Sequence, residues 1–120
     1  MIAHFKSVDK DGNVTKFDSL CEYSDGIYKF KDMATENTYI YISIDASTVS
    51  IIRKGNTNME LFLAYGMKTT GYYKNNLGLE FNFLAETTDL SINSDRIYAS
   101  YSLFVENDLV NQHKMWILFN

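Results

Sequence analysis

Few side chains in this chain could act on a substrate, and their spacing limits each of them. There are two histidines, His4 and His113, near opposite ends, and one cysteine, Cys21. A nucleophilic site needs a serine or cysteine within hydrogen-bond reach of a histidine that a carboxylate orients. No Gly-x-Ser-x-Gly motif supports one, so no residue is assigned a catalytic role. A sheet closed on itself would bring the first and last strands together, which makes His4 and His113 candidate neighbours. The default for both is a surface or rim position. An enzyme is therefore the third reading, kept for the case in which His4, His113 and a carboxylate meet in one cleft. Cys21 reads as a buried structural thiol and not as a nucleophile.

Metal and phosphate chemistry fare no better. Asp9, Asp11 and Asn13 echo the start of a calcium loop. The loop needs glycine at its sixth position and a bidentate glutamate at its twelfth, where Gly12 falls too early and Leu20 replaces the acid. Gly66, Gly71 and Gly78 are spaced as turn or bulge glycines, not as a phosphate cradle. Neither a metal nor a cofactor is expected. Aromatics alternate with lysine in Tyr28-Lys29-Phe30-Lys31 and Tyr72-Tyr73-Lys74, as they do on surfaces that stack single-stranded bases. A net charge of −4 and a pI near 5.0 argue against nucleic acid and against anionic membrane surfaces. The plainer reading is a strand with aromatics inside and lysines outside.

The elements that must carry these residues are strands. Tyr and Phe lift the aromatic share to 15%, which favours sheet over helix. With no proline, the punctuation comes from Gly, Asn, Asp and Ser clusters at short intervals. Between them lie strand-like runs at 2–8, 14–23, 27–31, 38–44, 48–53, 59–65, 68–74, 79–85, 89–93, 97–105 and 114–119. Residues 79–85 alternate best, with Leu79, Phe81, Phe83 and Ala85 on one side. In 38–44 both faces are apolar, so that strand has no evident inside. The best helix candidate, 107–114, is short and Asn-rich. The pattern predicts one all-β domain over residues 1–120: a single antiparallel up-and-down barrel of about eight or more strands, closed so that no edge is left.

Such a barrel either fills with side chains or holds one small ligand. Alternation puts Met59, Leu61, Leu63, Phe81, Phe83, Tyr101, Leu103, Ile117 and Phe119 inside. Their bulk favours a filled or nearly filled interior. If a pocket opens at one mouth instead, Met59, Leu61, Tyr73, Phe81, Phe83 and Tyr101 are its candidate ligand-binding wall. The ligand would be small, apolar or amphipathic, in a cavity of roughly 300 Å³ or more. The opposite phase carries Phe62, Leu84, Phe104, Trp116 and Leu118, more exposed apolar surface than a monomer usually keeps. They would pack beneath the N-terminal strands or form a homodimer interface, with Phe62, Phe104 and Trp116 as candidate contacts. The alternative to a ligand-binding barrel is thus a non-enzymatic interaction module with a filled barrel. A lone cysteine fits a reducing cytoplasm, and neither a signal peptide nor a membrane span is visible.

Several segments, taken in order, resemble one family. Tyr73-Lys74-Asn75-Asn76-Leu77-Gly78-Leu79-Glu80 is similar to a Y-x-T-P-Y-G-x-[LI] turn. Ile51-Ile52-Arg53-Lys54-Gly55, followed by Met59, is similar to an I-x-R-x-G segment with its later methionine. Ala85 to Thr88 before Leu90 and Ile92, Ser100 to Leu103, and Met115 to Phe119 match further segments. Together they resemble the YwiB-like proteins, small bacterial β-barrels of unknown function. The likeness runs from about Tyr23 onward. It departs at Asn75 and Asn76, where the family tends to have Thr and Pro, and at Ser43 and Ile44, where acidic residues are expected. The resemblance implies a calycin-like (lipocalin-like) antiparallel barrel and brings no activity with it.

Overall fold

The computed structural model describes residues 1–120. The chain forms ten strands and no helix. They are β1 (Ile2–Asp9), β2 (Val14–Ser24), β3 (Ile27–Lys31), β4 (Thr38–Asp45) and β5 (Thr48–Gly55), then β6 (Thr57–Ala64), β7 (Lys68–Asn75), β8 (Glu80–Ile92), β9 (Arg96–Val105) and β10 (Asp108–Phe119). Each pairs antiparallel with its neighbours in the chain, and β1 pairs with β10, so the meander closes into an up-and-down barrel.

The strand count differs from the reading of the sequence in one region. Residues 79–85 and 89–93 belong to one long strand, β8, whose register shifts between Thr87 and Asp89. That bulge breaks the alternation and made one strand look like two. Leu79 is not inward but exposed, in the turn before β8. The Asn75 carboxamide oxygen accepts the backbone N–H groups of Leu77 and Leu79, both at 3.0 Å, and so shapes this turn. The helix candidate 107–114 is the first part of β10, bent by a register shift between Leu109 and Asn111. Gly71 is no turn glycine; it lies inside β7, opposite Phe83.

Strand β4, which had no evident inside, is oriented by its neighbours. Ile40 and Ile42 are fully buried. Tyr39 and Tyr41 face out, where Lys29 lies 5.1 and 5.7 Å from their ring centres and Lys54 lies 5.3 Å from that of Tyr41. Cross-strand lysines on the outer wall thus give the tyrosines a role that the apolar core does not require.

The interior is not uniform. At the end that carries the β2–β3, β4–β5, β6–β7 and β8–β9 turns it is solid, packed with Ile42, Val49, Leu63, Ile97, Ile117 and Phe119. Toward the other end it is hollow. The expectation of a filled barrel therefore holds for one half only. Ten strands enclose a wider interior than eight, and the inward side chains do not span it.

Candidate functional site

The hollow end is built from two sets of cross-strand partners. On one side Arg53 pairs with Met59, Met59 with Tyr73, and Tyr73 with Phe81, which makes a continuous inward row over β5 to β8. The Tyr73 and Phe81 rings stack at 5.0 Å. Opposite, Tyr101 on β9 pairs with His113 on β10, their rings 5.3 Å apart. Leu61 and Phe83 lie deeper, and Phe83 covers Gly71, where a side chain would collide with the ring.

These residues surround a cavity of about 390 Å³. All six candidate ligand-binding residues, Met59, Leu61, Tyr73, Phe81, Phe83 and Tyr101, line it. Its remaining wall includes Phe5, Leu103 and Val110, with Ser7, Arg53, Asn111 and His113 as polar members. Val110 is half exposed, so the cavity reaches solvent beside the β9–β10 hairpin. A second hollow of about 280 Å³ adjoins it and shares Arg53, His113, Met59 and Tyr73. Arg53 therefore stands where the two meet.

The polar groups are held with different firmness. Arg53 Nε donates to Asp32 Oδ2 at 3.3 Å, and Asp32 is buried. Asp32 also accepts the N–H of Ala34 at 2.9 Å, so the β3–β4 loop fixes the carboxylate that fixes the arginine. Arg53 Nη1 reaches toward Met59 Sδ, 3.8 Å away, on the cavity wall. Burial pushes the Tyr101 phenol up to about 12, tempered by the positive charge of Arg53. Burial likewise pulls His113 below its usual value; Asp9 opposes this and Arg53 adds to it. The shift favours the neutral imidazole inside the barrel.

Sequence reasoning missed Arg53 and His113 as members of this site. The signal was present. Counting back in twos from Phe119 through Ile117 and Met115 reaches His113, and Arg53 shares the phase of buried Ile51. His113 is thus an inward residue, not a surface one. His4 has the opposite phase and faces out, with Nδ1 2.6 Å from Asp18 Oδ1 and Nε2 2.8 Å from Asn120 Oδ1. Both partners accept, so the bonds favour the doubly protonated ring and raise its pKa, Asn120 contributing most. The two histidines lie on opposite faces of the wall and do not share a cleft. Cys21 is buried; its Sγ–H points at the Glu22 carbonyl 3.7 Å away, and desolvation raises its pKa. Asp9 caps the first hairpin, accepting backbone N–H groups from Asp11 and Asn13 at 2.9 Å each.

The outward apolar set does not form one patch. Leu84 and Phe104 are cross-strand partners. Trp116 pairs with Tyr98, six residues from Phe104 along β9, or about 20 Å at the rise of a strand. Phe62 lies on β6, two strands from Leu84. Trp116 does not pack under the N-terminal strands either. Those strands join the wall edge to edge, and Lys6 of β1 lies 5.2 Å from the indole centre on the outside. A larger groove of about 490 Å³ crosses this outer wall at Lys6, Lys16, Arg96 and Trp116, but Lys6 and Tyr98 already occupy the indole.

Comparisons with known proteins agree with the geometry. The chain is similar in structure to the crystal structure of the ywiB protein from Bacillus subtilis, with a TM-score of 0.70. The superposition covers 99% of this chain and 90% of that one at 18% identity, a likeness of fold. No curated protein matches the sequence. A family model described as a domain of unknown function (DUF1934) matches residues 6–117, which includes the first strands, where the resemblance in the sequence was weakest. The chain belongs to that family of YwiB-like β-barrels of unknown function.

Proposed function

We propose that this barrel binds a small, mostly apolar molecule in its hollow end. One observation carries the reading. The six residues that alternation marks as a pocket wall surround a single cavity of about 390 Å³, within the range of small-molecule sites. Large aromatic faces supply the contact area, and a few polar groups, Arg53 on one side with Tyr101 and His113 opposite, orient the guest. The bulk of Phe81, Phe83 and Tyr73 favours a compact guest over a long acyl chain. Buried Cys21, as the single thiol, suits a reducing cytoplasm as the place of action.

The test uses an uncharged fluorescent probe, N-phenyl-1-naphthylamine, titrated into the purified protein. Binding of one probe per chain is expected, with its loss in Leu103→Trp, which puts an indole into the cavity. Native mass spectrometry of the same samples confirms stoichiometry and detects any molecule retained from expression. No binding by the wild type, or equal binding by the filled variant, overturns the proposal.

A further inference from the structure

Several groups able to donate hydrogen bonds line the cavity from opposite walls. Arg53, the Tyr101 hydroxyl, the His113 ring, Ser7 and the Asn111 carboxamide all line it. Of the carboxylates nearby, Asp32 is taken up by Arg53 Nε and the Ala34 N–H, and Asp9 by the N–H groups of Asp11 and Asn13. The guanidinium makes a single bond to Asp32, through Nε at 3.3 Å. Its Nη1 has only a thioether within reach, a weak acceptor. No protein acceptor is bonded to the Tyr101 hydroxyl or to His113, whereas outward His4 has a partner on each nitrogen. Arg53 Nη1, the Tyr101 hydroxyl and the His113 ring thus face the cavity from opposite walls with no protein oxygen bonded to them, and a ligand that brings acceptors meets them there.

We infer that the guest is amphipathic, and that its head is an oxyanion of carboxylate size seated against Arg53 and Tyr101, its apolar body lying against Phe81, Phe83 and Met59. This deepens the reading of the cavity as a ligand site and rests on it. The fork of a guanidinium gives planar, charge-assisted bonds to two oxygens, and the Asp32 bond to Nε leaves the Nη edge for them. Tyr101 and His113 contribute neutral donors across the gap. Asp32 balances the arginine while the site stands empty of charge, and its loop fixes the guanidinium in place, so little order is lost when the head group arrives. Arg53 is also near enough to both aromatic partners for its charge to bear on each of them.

The experiment compares two probes that differ by one group: 8-anilino-1-naphthalenesulfonate, which carries an oxyanion, and N-phenyl-1-naphthylamine, which lacks it. Wild-type protein is expected to bind the sulfonate at least ~10-fold more tightly, the order of one charge-assisted bond. Tyr101→Phe removes only the hydroxyl and should narrow that ratio, as should Arg53→Gln. Tyr101→Phe keeps the test open if loss of Arg53, which strands buried Asp32, unfolds the barrel. Binding of the neutral probe with no preference for the sulfonate, or a preference unchanged in Tyr101→Phe, overturns the head-group assignment and leaves the cavity reading intact. Failure of both probes overturns both.

Discussion

Gly71→Ala is the sharpest test of how the hollow end is held. A Cβ at position 71 would lie 2.2 Å from Cε1 and Cζ of Phe83 and 2.7 Å from the Glu60 carbonyl oxygen. Carbons in good contact sit about 3.5–4.0 Å apart, so the ring must retreat by roughly 1.5 Å. The space behind it is the cavity. The Glu60 oxygen has less freedom, since it belongs to backbone. But Glu60–Tyr72 is the last pair of the β6–β7 ladder, and beyond it the Thr69 hydroxyl, not a backbone N–H, donates to Phe62. The wall can part there. Overpacking of this kind costs about 1–3 kcal/mol. Alanine returns about 0.4–1 kcal/mol by restricting the unfolded chain. The clash wins, and the net expectation is about 1–2 kcal/mol of destabilisation by urea unfolding. Probe binding should weaken as well, because the displaced ring intrudes on the guest. Adding Phe83→Leu should recover part of the stability, a coupling that a double-mutant cycle reads directly. A Gly71→Ala protein as stable as wild type, with unaltered probe binding, would refute the seating of Phe83 on Gly71.

Two further outcomes are expected. Thr87 is fully buried beside the β8 bulge and its hydroxyl has no partner, so Thr87→Val should stabilise by about 1 kcal/mol in urea; a loss of similar size would mean that a buried water serves the hydroxyl. The two histidines should titrate apart by NMR, His4 above the ordinary 6.5 and His113 below it. The contribution of His4 to stability is then complete below pH 6.5 and lost as pH rises through its folded pKa. That of His113 is present above pH 6.5 and lost as pH falls through its folded pKa. The reverse order would show that the inward and outward faces of β1 and β10 are exchanged.

What was legible follows from the period of a strand. Phe81 and Phe83, or Ile117 and Phe119, declare their side because two-residue alternation is unbroken around them. Where a bulge intervenes the pattern fails, as at Thr87 and Asp89 and at Leu109 to Asn111. The β4 strand failed for another reason. Its outward tyrosines are as apolar as its inward isoleucines, and only cross-strand Lys29 and Lys54 reveal which side is wet. Whether the interior was filled was beyond any local pattern, since that depends on strand number and tilt, which belong to the closed sheet as a whole. Arg53 and His113 were hidden by a default. Charged and titratable residues are ordinarily read as surface, and here their phase along the strand decides against that.

The distribution of inward polar groups is uneven in a way that stability does not explain. The solid half is packed mostly with apolar side chains, Thr87 being a polar exception, while Ser7, Arg53, Asn111 and His113 all line the same hollow. Asp32 is nearly as buried as the isoleucines, and its partner Arg53 is only partly exposed. Such a pair is seldom better for stability than apolar side chains of similar volume, because desolvating two charges offsets their attraction. A barrel built only to be stable would have packed this end as it packed the other, and ten strands leave room for leucines to do so. Instead the chain forgoes packing over about 390 Å³ and holds an arginine in place through a carboxylate on a loop. Structures keep strained or underpacked features where something else depends on them. On the proposed reading this one is kept for a guest that brings the missing contacts, apolar in body and rich in acceptors at one end.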